Sequence, residues 1–430
     1  MGLLFTYALT YGGALVSLFN PFYGLLIYIC FAISKPEVMW PWSVPVGNYS
    51  RIVAISLLLG WVLRGFGNWQ LGRAKGVVFA FIGFWLWAVF SGTFAATDHD
   101  RAFKFVEENG KILLPFLVGV TVIESPKQLT ILIWVIVASV GYFALRENET
   151  YYLYGMPVGD NLKAHMMVVG SGLAFFSGLA SQNLSMKTAG FAAAALMIHA
   201  AMFHMSRAAM IGIFVVGALT FLVLPKNWKT MSLMIVALAI GLRLAGPNIV
   251  HEFMTVTASE EERDASAASR FDLWAGLASE IQSNPVLGLG PNHWQLNSQN
   301  HGFVKGKDGH CLWLQMGAEM GIPGLMFLLC FYGLSVWRLL PAAMGRSEHE
   351  LPWLRPVAQM VVVSICAFSV EQMFGSFSGM ELPYYVVLIA AVALKLSSGK
   401  PASMHYPQWA GVGHGYNSAI HGQMREFVKS

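Results

Sequence analysis

The sequence predicts an all-α, polytopic membrane protein with twelve or thirteen transmembrane helices and one large extracytoplasmic loop that carries a surface helix. Two observations carry that prediction. The 430 residues are 56% hydrophobic and 12% charged, with a mean hydropathy of +0.55, whereas soluble domains carry about a quarter charged residues. Such a chain lacks the polar side chains to cover a water-facing surface, which excludes a soluble enzyme, a disordered scaffold and a disulfide-stapled module. The second observation is punctuation: apolar runs recur along the chain, each bounded by charge, Pro or Gly. A helix needs about 20 such residues to span the hydrocarbon.

In order, the runs fall near 3–19, 22–34, 51–66, 76–95, 111–124, 128–145, 164–181, 187–204, 208–224, 230–246, 311–338, 356–375 and 382–397. The second and fifth are short. Asn20-Pro21 is either a tight turn between two spans or the kink of one broken helix, which leaves the count at twelve or thirteen. The chain opens MGLLFTYALTYGG with no basic region ahead of the apolar run, so the first run reads as retained. Cys30, Cys330 and Cys366 lie within apolar runs and only Cys311 adjoins a polar loop, so no disulfide framework is expected.

Orientation follows from the basic residues. The net charge is +4, and the cations form short clusters between apolar runs, with no stripe or arm suited to nucleic acid. Arg64, Arg73 and Lys75 share one loop, Lys226 and Lys229 another, and Arg338, Arg346 and Arg355 a third. The spans place all three on one side, with Lys127, Lys187 and the tail bearing Lys395, Lys400, Arg425 and Lys429. Short basic loops remain cytoplasmic. The loops around 35–50, 96–110, 146–163 and 204–207 then face outward with the long stretch 247–310. The expected organisation is transmembrane helices over 1–246, an extracytoplasmic loop over 247–310, further transmembrane helices over 311–398, and a cytoplasmic tail over 399–430.

The loop 247–310 differs in composition, with eight acidic and four basic residues. Within it Phe271, Trp274, Leu277, Ala278 and Ile281 recur at helical spacing. Ser269 is placed to cap that helix with Asp272 three residues on, and Asn284-Pro285 ends it. The helix, near 270–283, is expected to lie along the membrane surface with its apolar face down.

Few residues have the chemistry for a site. Ser206-Arg207 stands at the outer mouth of a span, where an arginine either snorkels to the interface or binds an anion. Arg270 opens the expected surface helix, where its guanidinium and the helix N-terminal N–H groups would together hold an anion, unless it is only solvated. His310 lies where the loop re-enters the membrane, with Glu319 three turns into the next span; His293 and His301 compete with it. Glu260, Glu261 and Glu262 are consecutive and point in different directions, which suits a solvated face better than a metal site. The outer face carries no HExxH pattern, and the chain no GxGxxG or Walker motif, which argues against a nucleotide-sugar donor.

The tract ERDASAASRFDLWAGLASEIQSNPVLGLGPNHW (262–294), followed by GHCLWLQMGAEMGIPGLMFLL (309–329), resembles the O-antigen ligase and polymerase superfamily, most closely the O-glycosylation ligases associated with exosortase systems. SRAAMIG (206–212) is similar to that family's Ser-Arg at the outer end of a span, and GDN (159–161) to its polar motif before a span. Gln315, Glu319, Gly321 and Gly324 follow His310 as in the family's H…Q…E-x-G-x-x-G pattern, although Cys311 stands where members usually carry Ser or Asn.

The resemblance, which covers roughly 100–340, implies a metal-independent, inverting glycosyltransferase of the bacterial inner (plasma) membrane with its site facing the periplasm. The donor would be a glycan on a polyprenyl diphosphate, undecaprenyl by expectation. The acceptor would be a hydroxyl of a glycan, lipid or protein, with membrane lipid around the enzyme and no cofactor. Arg207 and Arg270 would hold the diphosphate, His310 would act as general base, and Ser206, Asp272 and Glu319 would support them. A chain polymerase of the same superfamily uses the same donor. A transporter or flippase is the alternative of another class, but the two halves show no internal repeat.

Overall fold

The structure, a computed structural model, describes residues 2–155, 160–228, 265–346, 351–376 and 379–398, with scattered positions between 230 and 239. Among these residues every regular element is a helix. The long ones are α1 (Gly2–Phe19), α2 (Pro21–Ser34), α3 (Tyr49–Leu63), α4 (Lys75–Phe94), α5 (His99–Val122), α6 (Pro126–Tyr154), α7 (Asn161–Ala180), α8 (Leu184–Phe203), α9 (Arg207–Val223), α10 (Ala265–Ser283), α11 (Leu312–Ala343), α12 (Leu354–Glu371) and α13 (Glu381–Leu396). Seven of the described helices are long and apolar enough to cross a membrane, and α2, α3 and α9 are shorter apolar helices. The chain is an all-α polytopic membrane protein. A helix stands at each expected span except 230–246, most of which lies outside the described residues, as do Gly159, Glu260, Glu261, Glu262 and the tail 399–430.

The ends of the helices move because polar caps, not apolar runs, start them. Asp98 accepts a hydrogen bond from the Arg101 amide at 3.1 Å, so α5 begins at His99 rather than near 111. The segment 96–110, expected as a loop, is mostly the charged opening of that helix, with Lys111 paired to Glu107 one turn away at 2.6 Å. Ser125 caps α6 by accepting from the Gln128 amide, with Pro126 in the first turn. At 29 residues, α6 is about 43 Å long, so its last turns reach beyond the roughly 30 Å hydrocarbon layer.

Asn20 breaks the first apolar stretch into two helices. Its backbone is extended (φ −148°, ψ 96°) and its side chain accepts from the Phe22 amide at 3.2 Å. Gly24 then lies against Ser17 and Gly13 against Ile27, so α1 and α2 form an antiparallel hairpin.

In the centre runs α13, with every residue from Leu382 to Lys395 buried; a helix apolar on all sides belongs in the interior of a bundle. Lys395 ends it by donating to the carbonyls of Val120 (2.7 Å), Asn68 (3.2 Å) and Ile123 (3.4 Å). A cation thereby sits at the C-terminal end of α5, where helix carbonyls lack partners. Around this centre α12 packs against α7, α9 and α11, and α4 against α11. The outward faces stay apolar: Phe79, Leu86, Phe90 and Phe94 on α4, and Phe214, Phe221 and Leu222 on α9, are exposed. An exposed apolar band of this extent suits lipid.

Candidate functional site

A broken helix builds the site. Gly321 takes φ 67°, ψ −178° inside α11, so residues 312–320 form a short helix ahead of a longer one. A break leaves carbonyls without helical partners, and the loop after α10 together with Trp87 of α4 supplies the donors. The Leu289 amide donates to Ala318 O at 2.9 Å, the Gly290 amide to Glu319 O at 2.8 Å, and Trp87 Nε1 to Met320 O at 2.8 Å. Ile322 N donates in return to Pro285 O at 2.8 Å. Close approach makes glycine necessary at Gly321, where a Cβ would meet the Val286 carbonyl.

Glu319 fastens the same loop from its side chain. The carboxylate accepts from the Asn292 amide (2.8 Å), the Trp294 amide (3.2 Å) and Gln315 Nε2 (3.1 Å). Gln315 Oε1 in turn accepts from the Gly309 amide at 3.2 Å. The Gln315–Glu319 pair therefore connects the loop at 292–294 to the residue before His310, and both faces of Glu319 are engaged by donors.

Both competing histidines have structural partners. His293 is buried; its Nε2 accepts from the Asp98 amide at 2.9 Å and its Nδ1 lies 2.8 Å from Pro291 O, which fixes the proton on Nδ1. His301 contacts Glu280 at 2.8 Å and lies over Trp294, tying the loop to α10. The His310 ring makes no hydrogen bond among the described residues, and its backbone is left-handed at φ 50°. Met205, just before Ser206-Arg207, shares that conformation at φ 50°, and Asn292 at φ 60°. Such strain persists where the surroundings hold a residue in place, and it gathers at functional sites.

Ser206 caps α9, its hydroxyl accepting from the Ala209 amide at 3.4 Å, and so places Arg207 in the first turn, half-buried. Arg270 lies half-buried in α10. Burial lowers its pKa, and the positive charge of Arg207 lowers it further. His310 is also lowered, first by burial; Asp308 pulls the other way, while Arg270 and Lys307 add to the lowering. Arg207 thus acts on Arg270 and Arg270 on His310, so one electrostatic neighbourhood holds all three residues picked from the sequence. Two guanidiniums that repel each other make a strong site for an anion of more than one charge.

The structure corrects several expectations. The surface helix starts at Ala265, so Ser269 is within it and Arg270 is past its first turn. The helix N–H groups beside Arg270 are consequently used in the helix and do not join it in holding an anion. Asp272 is exposed on this helix. The buried apolar side chains described on α10 are Leu273 and Leu277, packed with Trp294 and Ala318, while Phe271 is 61% exposed. Protein, not lipid, covers that face, because the broken part of α11 lies under it.

Sequence reasoning passed over Asp308, whose carboxyl is pushed up by burial and drawn back by His310 and Lys307; its place two residues before His310 was the available signal. Arg101 was missed as well: its Nε donates to Asn292 O at 2.6 Å, linking α5 to the loop. Asp160, from GDN, caps α7 by accepting from the Lys163 amide at 3.3 Å, and its own amide donates to His204 Nδ1 at 3.3 Å.

The candidate residues themselves lie in one stretch of chain, from α9 through the first part of α11. Residues 192–329 match the O-antigen ligase family model. The matched stretch contains Arg207, Arg270, His310 and Glu319. O-antigen ligases and their relatives are membrane enzymes that transfer glycans. Comparison with curated proteins gives no match.

Proposed function

We propose that the protein transfers a glycan from undecaprenyl diphosphate to an acceptor hydroxyl at the periplasmic face of the bacterial inner membrane, as a ligase in the manner of the exosortase-associated branch. The observation that carries this reading is that Arg207, Arg270 and His310 all lie within residues 192–329, the stretch that matches the O-antigen ligase family model. Arg207 and Arg270 bind the diphosphate through charge-assisted hydrogen bonds and stabilise the charge it gains as the glycosyl bond breaks. His310, held neutral, takes the proton from the acceptor hydroxyl as its oxygen attacks the anomeric carbon from the side opposite the diphosphate. Guanidinium groups supply the leaving-group stabilisation that a metal ion gives in other transferases. Donor binding also brings negative charge beside Arg270, which offsets its effect on His310 and makes the histidine a better base when the acceptor arrives.

Ser206 sets the start of Arg207's helix, and Glu319 holds the loop that faces His310. Asp272, exposed on α10 two residues after Arg270, supports the clamp from the same helix.

The test uses the purified protein in nanodiscs with an undecaprenyl diphosphate-linked oligosaccharide and an envelope extract as acceptor. Lys offers a point charge where Arg offers a planar fork, so Arg207→Lys and Arg270→Lys are expected to weaken donor binding strongly. His310→Ala is expected to bind donor and to lose about 10²- to 10⁴-fold in transfer. A folded His310→Ala protein with normal transfer removes His310 as the base. Donor affinity unchanged in both arginine variants removes the clamp. Glycan profiling of a deletion strain separates ligation, which leaves acceptors without long chains, from polymerisation, which leaves single repeat units.

A further inference from the structure

Beneath the site lies an ionisable pair with no part in the scheme above. Glu371, the last residue of α12, is fully buried, and neither carboxyl oxygen has a hydrogen-bond partner. His165 Nδ1 stands 3.7 Å from Glu371 Oε2, with both side chains almost wholly out of solvent. A buried carboxyl without hydrogen bonds is costly, and an ionisable residue inside a membrane bundle marks function more often than packing.

The position of Glu371 ties it to both arms of the site. On one side it presses on α9: a Cβ on Gly212 would collide with Glu371 Oε1. Gly212 is five residues after Arg207, or about 7.5 Å along the same helix. On the other side, the next residues form the bed of the His310 turn. The Leu312 amide donates to Gln372 O at 2.9 Å and to Gly375 O at 2.7 Å. Any shift of Glu371 is therefore transmitted to the helix that begins at Arg207 and to the turn that presents His310.

We propose that Glu371, with His165, is a positioning residue that sets the distance between the arginine clamp and the base. The pair touches neither donor nor acceptor. It works as a polar spacer: α9 rests on the carboxyl through Gly212, and the backbone continuing from it fixes the first turn of α11. This proposal deepens the transferase reading and rests on it.

The experiment compares the wild type with Glu371→Leu, Glu371→Gln and Gly212→Ala in nanodiscs. It measures kcat and KM with the undecaprenyl diphosphate-linked oligosaccharide and, separately, affinity for undecaprenyl diphosphate alone. A misplacement of about 1 Å far from the chemistry costs up to about 10²-fold in rate. Glu371→Leu is expected to lose roughly 10- to 100-fold in kcat while diphosphate affinity is kept, and Glu371→Gln, which preserves shape and hydrogen-bonding capacity, to rescue most of the rate. A packing role predicts the opposite, because an apolar isostere in place of a buried carboxyl that makes no hydrogen bond is often neutral or stabilising. A folded Glu371→Leu protein with full turnover overturns the proposal. So does a loss of affinity in step with rate, or a Glu371→Gln variant as slow as Glu371→Leu. If Glu371→Leu does not fold, Gly212→Ala carries the test, with lowered kcat expected and unchanged kcat overturning it. Absence of transfer by the wild type would instead refute the transferase reading.

Discussion

Glu319 offers a sharp test of what a buried acidic side chain does in this chain. Three donors converge on its carboxylate: the Asn292 and Trp294 amides and Gln315 Nε2. A carboxylate accepts all three, whereas a glutamine side chain has one accepting oxygen and must turn its NH2 toward a donor. Glu319→Gln therefore leaves at least one buried donor unpaired, at a cost of about 1–3 kcal/mol. Glu319→Ala strands both backbone amides and costs roughly 2–6 kcal/mol by the same measure. The effect is local, so hydrogen exchange reads it best. With about 1.4 kcal/mol per factor of ten, the Asn292 and Trp294 amides in Glu319→Gln should exchange roughly 5- to 150-fold faster, while amides in α13 keep their protection. Transfer should fall because the loop facing His310 loosens, and restoring the loop by saturating donor should recover part of it. Unchanged exchange at both amides together with abolished transfer would refute this reasoning and make Glu319 a chemical participant.

The remaining predictions concern the same neighbourhood. Because burial, Arg270 and Lys307 lower His310 below its usual 6.5, the histidine stays neutral down through that value, and the acid limb of kcat/KM should lie below pH 6.5. Asp308 raises His310, so Asp308→Asn should move the limb to lower pH, and Arg270→Gln should move it upward; a limb that ignores both changes would detach His310 from the profile. Gly321→Ala combines a left-handed backbone, worth about 1–3 kcal/mol, with a collision against the Val286 carbonyl, and should lower thermal stability in detergent far more than Gly333→Ala, whose Cβ meets nothing. His293→Ala removes partners from the Asp98 amide and Pro291 O and should cost about 1–3 kcal/mol of stability while the folded fraction keeps its transfer rate. Transfer should also survive excess chelator; complete and reversible loss would defeat the guanidinium mechanism.

Composition and punctuation alone determined that this is a helical membrane protein and where most of its spans lie. Hydrophobic periodicity and lipid length are local constraints, and a helix satisfies its own backbone within a single segment. The candidates Arg207 and Arg270 stood out because charged groups are scarce in such a chain, whereas His310 was set apart only by the resemblance of the residues that follow it to a family pattern. What the sequence misplaced were boundaries, since short-range caps such as Asp98 and Ser125 extend helices past the apolar run, and the face of α10, since no local pattern reveals that the broken start of α11 lies beneath it. Tertiary structure alone decided which histidine rings are bonded among the described residues. His293, His301 and His310 are chemically equal in the sequence, and only the long-range partners Asp98 and Glu280 distinguish the first two. The same holds for Glu371 and His165, which are 206 positions apart and share a buried contact only because α7 and α12 pack together. Pairings over such separations depend on how whole helices cross, and helix crossings are fixed by the packing of many side chains at once, not by any one of them.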